Sequence, residues 1–310
     1  MDKFVSIIVP CFNEEEALPI YYKTAKPILE SITSQYELIL IDDGSKDNTP
    51  KLIKELAAND NHVKYVIFSR NFGKEAAMYA GLEKSKGEYV AIMDADLQDP
   101  PEKLKEMYDL LETGEYDCIA TRRVTRAGEP KIRSFLARMF YKLVNKHTQT
   151  EIVDGARDFR LMKRKMVDSI LSMKEYNRFS KGIFSFVGYR YKWLEYENIE
   201  RCAGETKWNI RKLFVYALEG IVAFTLAPLY AVVKFGLALG FLDFIAFVIL
   251  LILHLTHVIV FGWPLILLLS MILLTSFMIT CLGIMAIYQA KSYNEVKQRP
   301  LYFELESNIK

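Results

Sequence analysis

Four short apolar runs rich in β-branched residues punctuate the N-terminal part of the chain: FVSIIVP (4–10), YELILID (36–42), HVKYVIFS (62–69) and EYVAIMD (88–94). Polar segments with helical periodicity separate them, among them Thr49 to Ala58 and Lys74 to Ser85. This alternation predicts an α/β architecture, a parallel sheet with helices on its faces. Ligands of such sheets bind beyond the carboxyl ends of the strands. Here those ends read PCFNEEE, DDGSKD, SRNFGKE and DADLQD, so acidic and polar residues gather along one edge. Helix capping accounts for part of this, with Asp47 and Asn48 placed before a helix at Thr49 and Asp99 before one at Pro101. Capping uses one acceptor per helix, whereas these ends carry two or three.

The pattern changes completely toward the C-terminus. From Phe244 to Ala290 there is no Asp, Glu, Lys or Arg. As one helix this run would reach roughly 70 Å, more than twice the hydrocarbon thickness of a bilayer, so it must fold back. HLTHVIVFGWP (254–264) supplies the reversal, with Gly262 and Pro264 as breakers and Trp263 suited to a headgroup belt. Two transmembrane spans are expected, Lys234 to Leu255 and Pro264 to Tyr288. Arg211, Lys212 and Lys234 precede or open the pair, Lys291, Lys297 and Arg299 follow it, and the connecting turn has no Lys or Arg. The positive-inside rule then puts both ends in the cytosol. The opening MDKFVSIIVPCF has too short an apolar run for a signal peptide, so a multi-pass membrane protein whose residues 1 to about 210 stay cytoplasmic is expected.

Composition refines this little. The 310 residues carry a formal net charge of +2, with 25% charged and 51% hydrophobic residues, an average that hides the division between the halves. No nucleic-acid partner is expected. Cys11, Cys118, Cys202 and Cys281 form no CxxC pair, and His62, His147, His254 and His257 form no ligand-spaced cluster, which argues against a zinc site. No GxGxxG follows the first strand and no Walker GxxxxGK[ST] occurs, which disfavours nicotinamide, flavin and P-loop chemistry. Asp94 and Asp96 stand two apart where a strand runs into a loop. Such carboxylates can meet one hard cation, Mg²⁺ or Mn²⁺, of the kind that bridges to substrate phosphates.

Six ordered motifs, IIVPCFNEEEAL, LIDDGSKDNT, RNFGKEAAMYAGL, MDADLQDPPE, DGARDFRLMKRK and GETKWNIRKL, followed by two apolar spans, resemble the polyprenyl-phosphate glycosyltransferases of glycosyltransferase family two. The likeness is strongest to the bactoprenol glucosyltransferase type, with dolichol-phosphate mannose synthases more distant. It covers nearly the whole chain, and Cys11 in PCFNE falls where the family varies.

The resemblance implies a GT-A, Rossmann-like cytoplasmic domain that binds a nucleotide sugar, such as UDP-glucose or UDP-N-acetylglucosamine. Pro10, Asn13, Glu14, Asp42, Asp43, Lys74, Asp94 and Gln98 would contact it, and Asp94 and Asp96 would hold the metal, with Asp96 counted as catalytic. The acceptor would be polyprenyl (undecaprenyl) phosphate in the membrane, the transfer inverting, and the product a lipid-linked sugar for cell-envelope glycans. A phosphate monoester has a second pKa of about 6 and is mostly ionised at neutral pH, so cations matter more than a base. Arg122, Arg123, Arg201 and Lys207 are the candidates for the acceptor phosphate. Asp158 matches the position assigned to a catalytic base; it could equally orient Arg157 or Arg160, or bind the sugar.

The division expected is a GT-A domain over residues 1–207, interfacial helices over 208–232, two spans over 233–290 and a cytoplasmic tail over 291–310. NIRKLFVYALEGIV (209–222) reads as an amphipathic helix on the membrane surface, and Pro228 as the break before a second short segment. Asp243, inside the first span, reads as a helix–helix contact in a homo-oligomer, FSFVGYRYKWLEY (184–196) as a pair of core strands, and NEVKQRPLYFE as an extended tail packing on a neighbour. Two rival functions stand beside the main one. A processive polysaccharide synthase lacks support, since QxxRW is absent and two spans are few for a channel; a non-catalytic nucleotide-sugar scaffold recruiting a lipid-sugar flippase can be removed only by turnover.

Overall fold

The computed structural model describes residues 3–124, 153, 155–197, 227–256 and 263–309. The chain divides into two compact units, residues 1–220 with 299–310 and residues 221–298.

The first unit is built on one eight-stranded sheet. Strands β1 (Val5–Cys11), β2 (Tyr36–Asp42), β3 (Val63–Phe68) and β4 (Tyr89–Ile92) alternate with helices α1 (Ala17–Ile32), α2 (Thr49–Asn59) and α3 (Lys74–Lys84). After α4 (Lys103–Glu112) come β5 (Cys118–Arg123), β6 (Ala156–Lys163), α5 (Arg164–Ser172), α6 (Ser180–Phe186) and β7 (Tyr191–Tyr196). The spatial order is β7-β5-β6-β4-β1-β2-β3-β8, where β8 is Glu304–Ser307. The four strands read from the sequence pair in parallel, whereas β6 runs antiparallel to both β4 and β5, so the sheet is mixed. The chain leaves β1 toward β2 and β3, then returns to place β4 on the other side of β1. This reversal opens a crevice beyond the carboxyl ends of β1 and β4, where a parallel sheet binds its ligand.

Both faces of the central strands are covered, which explains their continuous apolar runs. On one face Ile7, Val9, Leu38, Leu40 and Ala91 pack with Leu18, Tyr21 and Leu29 of α1 and with Leu104, Met107 and Leu111 of α4. On the other, α3 lies so close to β1 that a Cβ on Gly81 would meet Ile8 Cγ2 at 2.1 Å. Burying one such aliphatic side chain contributes roughly 1.5–3 kcal/mol.

Three local expectations change. Helix α4 begins at Lys103 rather than Pro101, and Asp99 accepts from Arg157 and Tyr196 instead of capping it. Asp47 does accept from the backbone N–H of Thr49, but the Asn48 side chain donates to Glu15. The aromatic segment 184–196 is one helix end and one strand, because Gly188 at φ +70° breaks the chain between Phe186 and Tyr191.

The tail also differs from expectation. Strand β8 adds antiparallel to β3 and closes that edge of the chain's own sheet, with Val66 opposite Ser307 and Ile67 opposite Glu306. Lys54 pairs with Glu306 at 2.5 Å and Lys84 with Glu304 at 2.6 Å. An unpaired edge row of N–H and C=O groups, flanked by these lysines, is what draws the tail there.

The second unit consists of α7 (Ala227–Leu255) and α8 (Trp263–Val296). Pro228 lies within α7, so among the described residues no separate short segment stands between it and the first span. Gly236 admits the Phe277 ring, whose nearest atom would lie 2.6 Å from an added Cβ. Both helices are long and apolar enough to cross a membrane, and the qualifying stretches Leu229–Ala246 and Ser270–Val296 have none of their residues buried. Leu237 is 71% exposed and Ile279 63%, an uncovered apolar surface that suits lipid rather than water. At 34 residues α8 is about 51 Å long, more than a hydrocarbon core of about 30 Å, and its last turns, Lys291 to Glu295, carry charge. The expected amphipathic helix over 209–222 lies outside the described residues, as do Arg201 and Lys207.

Candidate active site

The crevice is organised by short acidic loops that hold one another. Asp43 follows β2, and its carboxylate accepts from the Asn71 side chain at 2.9 Å and from the N–H groups of Phe72 at 2.7 Å and Gly73 at 3.0 Å. Burial dominates and pushes the Asp43 carboxyl up to about 6, although these donors favour its charged form. Gly44 has φ +66°, and a Cβ there would lie 2.3 Å from the Arg70 carbonyl carbon, so only glycine lets the β2 and β3 loops meet. Asp42 is wholly buried. Its Oδ2 accepts from Ser45 N–H at 3.2 Å, while Oδ1 has no hydrogen-bond partner among the described residues.

The β1 loop is laced to the β2 loop beside it. Asn13 takes φ +51°, a conformation that its short amide tolerates, and its Oδ1 accepts from Lys46 N–H at 2.8 Å. Its own N–H donates to Ser45, and that of Glu14 donates to Thr49. Asn13 and Glu14, with Glu15, Glu16, Ala17, Lys46 and Asp47, line an open cleft of about 380 Å³. Pro10 lies on β1 opposite Ile41.

The loop pinned by Asp43 delivers Lys74, the first residue of α3. Its ammonium lies 2.7 Å from Asp94, beyond β4, and 2.6 Å from Asp158 on β6. Burial opposes charge on Lys74, but the carboxylates of Asp158 and Asp94 override it and hold the ammonium firmly protonated. Asp158 shows the mirror image: burial alone would raise its carboxyl, yet Lys74, with Lys181 and Arg160 behind it, holds it well below the ordinary range. Neighbouring Arg157 donates to Asp99 at 2.9 Å and stands 3.9 Å from Asp94.

Asp96 is 6% exposed, and its Oδ1 accepts from Gln98 N–H at 3.1 Å across a turn in which Leu97 adopts φ +55°. A bulky residue rarely takes a positive φ, so local strain accompanies this turn. Arg160 is 2% exposed, donates to the backbone of Arg157 and Asp158, and stacks 3.7 Å from the Phe184 ring centre. Glu75 accepts from Ser180 N–H at 3.0 Å and from its hydroxyl, tying α3 to α6.

Sequence reasoning named Lys74, Asp94 and Asp158 separately; the fold places them in one ion-paired group. Arg122 lies near the carboxyl end of β5, on the sheet edge that carries the site, paired with Glu195 of β7, and the Arg123 N–H donates to Gly155 O at 2.9 Å. What the sequence reading missed is the support around the group, namely Glu75 with Ser180 and Tyr196 with Asp99, which are joined only by tertiary contact. Arg157 and Arg160 were signalled by their flanking of Asp158.

The family model for glycosyl transferase family 2 matches residues 6–171, from β1 through α5. Among curated proteins, the prophage bactoprenol glucosyl transferase homolog of Escherichia coli (strain K12) is 39% identical over 96% of this chain and 97% of its own. The SfII prophage-derived bactoprenol glucosyl transferase of Shigella flexneri is 38% identical over 98% of each chain. Among solved structures, glucosyl-3-phosphoglycerate synthase from Mycobacterium tuberculosis, in complex with Mn²⁺, UDP-glucose and phosphoglyceric acid, overlays with a TM-score of 0.48. That overlay has 19% identity and covers 71% of this chain and 78% of the other. The mixed sheet is the GT-A, Rossmann-like arrangement, and the protein is a glycosyltransferase: the chain belongs to glycosyl transferase family 2.

Proposed function

We propose that the chain transfers a sugar from a nucleotide sugar to the phosphate of a polyprenyl phosphate, with inversion at the sugar carbon. The observation that carries this reading is likeness over the whole length, apolar helices included, to relatives named bactoprenol glucosyl transferases. Their name makes glucose the first sugar to try, with N-acetylglucosamine the alternative. In the reaction a phosphate oxygen of the lipid forms a bond to the anomeric carbon as the bond to the nucleoside diphosphate breaks, and the diphosphate leaves with the electron pair.

The nucleoside is assigned to the carboxyl ends of β1 and β2, at Pro10, Asn13, Glu14, Asp42 and Asp43, where Asn13 and Glu14 also line the open cleft. The partnerless Asp42 Oδ1 supports this, because a base or ribose donor would satisfy it. Asp43 contributes at one remove, since its carboxylate is already engaged by the loop before Lys74. Asp94 and Asp96 are assigned to a divalent cation, Mg²⁺ or Mn²⁺. Their hard oxygens suit such an ion, and no third His, Cys, Asp or Glu among the described residues completes a cage, which leaves positions for substrate phosphate and water. A cation bound there supplies Lewis-acid stabilisation of the departing diphosphate. Gln98 holds the Asp96 turn through its backbone N–H, and Lys74 fixes Asp158 against Asp94. Arg122 and Arg123, with Arg201 and Lys207, are assigned to the acceptor phosphate. Arg122 would exchange Glu195 for that phosphate.

The division that fits this chemistry is a GT-A domain over residues 1–207 completed by β8, interfacial helices from 208 to the start of α7, spans within α7 and α8, and a tail beyond α8. Both ends are placed in the cytosol, where nucleotide sugars are found. The test is direct. Membranes containing the full chain are incubated with a panel of radiolabelled nucleotide sugars, and label should enter the lipid extract from one of them only when polyprenyl phosphate is present. Label in long polymer would instead support the processive synthase, and label in neither fraction would remove the proposal.

A further inference from the structure

The C-terminal tail makes two kinds of contact, and only one concerns the sheet edge. At the far end Asn308 accepts from Tyr65 N–H at 2.7 Å and donates to Val63 O at 3.2 Å, which simply closes β3. At the near end the tail reaches the loop that delivers Lys74. The Tyr302 ring stacks on Phe68 with centres 4.8 Å apart and planes at 22°, and its hydroxyl donates to Glu83 of α3 at 2.6 Å. Phe68, 1% exposed, in turn meets Phe72 edge-on at 5.8 Å. The carbonyl of Phe303 accepts from Ser69 N–H at 3.0 Å, and its ring lies 6.0 Å from that of Phe72.

The Lys74 loop is therefore gripped from two sides. Asp43 holds the N–H groups of Phe72 and Gly73 from within, and the tail holds Ser69, Phe68 and Phe72 from without. Gly73 takes φ +98°, with no atom within 4 Å of where a Cβ would stand, so its own contacts are the N–H bonds to Asp43 and the carbonyl that opens α3. Lys74 follows directly, with both carboxylates within 2.7 Å of its ammonium. We propose that the tail segment around Tyr302 and Phe303 is a positioning element of the glycosyl-transfer site, setting the loop that places Lys74 between Asp94 and Asp158. This rests on the function proposed above for its kinetic consequence, while its structural consequence stands apart from any reaction. A misplacement of about 1 Å at a reacting centre is enough to lower a rate by about a hundredfold.

The experiment uses the full chain in its membrane, with Tyr302→Ala as the test variant, Tyr302→Phe as the conservative one, and Asn308→Ala as a control that loosens only the far end of the tail. Amide exchange of residues 69–74, read without substrates, should speed up about tenfold in Tyr302→Ala and stay unchanged in Asn308→Ala. Lipid-linked label should form with kcat down by about 10- to 100-fold in Tyr302→Ala, with KM for the nucleotide sugar within about twofold. Tyr302→Phe, which keeps the ring stack and loses only the bond to Glu83, should recover most of the rate. Unchanged exchange in Tyr302→Ala would overturn the proposal whatever the chain's reaction, and so would equal loss of rate in Tyr302→Ala and Asn308→Ala, which would reduce the tail to an edge cover. If exchange responds as stated and no variant, nor the unchanged chain, labels lipid, the assignment of the reaction fails and the tail's grip on the loop stands.

Discussion

Replacing Asp94 or Asp96 by Ala, or adding EDTA, should abolish sugar transfer while leaving the chain folded and in the membrane. The fold itself does not depend on Asp94. Lys74 keeps Asp158 as a partner at 2.6 Å when Asp94 is removed, and Arg157 keeps Asp99 at 2.9 Å, so no buried cation is left bare. Asp96 contributes to its turn by accepting from Gln98, a net effect of about 1 kcal/mol. Loss of a Lewis acid from the departing diphosphate is worth several kcal/mol of barrier, and about 4 kcal/mol corresponds to roughly a thousandfold in rate. The measurement pairs turnover with thermal unfolding in detergent. EDTA-treated enzyme should regain activity on addition of Mg²⁺ or Mn²⁺, whereas neither alanine variant should recover fully. Full activity in a metal-free assay would mean that the two carboxylates serve only the turn and the Lys74 pair.

Much of this site was legible because its parts are local in sequence. Strand ends are visible as apolar runs that stop in polar clusters, so the edge carrying Asn13, Asp43, Lys74 and Asp94 is legible in the sequence itself. What a linear reading does not carry is which cluster faces which. The pairing of Lys74 with Asp158 spans 84 positions and depends on β6 entering antiparallel beside β4. No periodicity signals that entry, because β6 is a strand of mixed character whose buried Arg160 is stabilised by Phe184. The tail differs from expectation only in its partner, for a related reason. NEVKQRPLYFE reads as an extended segment that packs on a neighbour, whereas the strand that follows it pairs with an edge of β3 whose unsatisfied backbone is invisible in sequence. The apolar helices were the reverse case: composition alone identifies them, and only their limits moved, to Ala227–Leu255 and Trp263–Val296.

Asp158→Asn should retain measurable turnover, with the rate lowered by about 10- to 100-fold rather than lost. If Asp158 were a general base it would need to gain a proton in the reaction, and the group that faces it is the ammonium of Lys74 at 2.6 Å. A carboxylate held well below its ordinary range by that cation is a weak base, and the acceptor phosphate, with a second pKa of about 6, has little need of one. The role left to Asp158 is to hold Lys74, which an amide oxygen still does, though without the charge. Lys74→Ala should be more damaging, since it leaves Asp94 and Asp158 facing the site with no ammonium between them. The pH profile separates the two readings independently. With an ionised phosphate as nucleophile, the acid limb should fall near pH 6, about the acceptor's own second pKa, in both the unchanged chain and Asp158→Asn. A shift or loss of that limb in Asp158→Asn alone would assign the limb to the carboxylate. Complete inactivity of Asp158→Asn at every pH, with nucleotide sugar and lipid still bound, would restore Asp158 as the base and end the base-free mechanism.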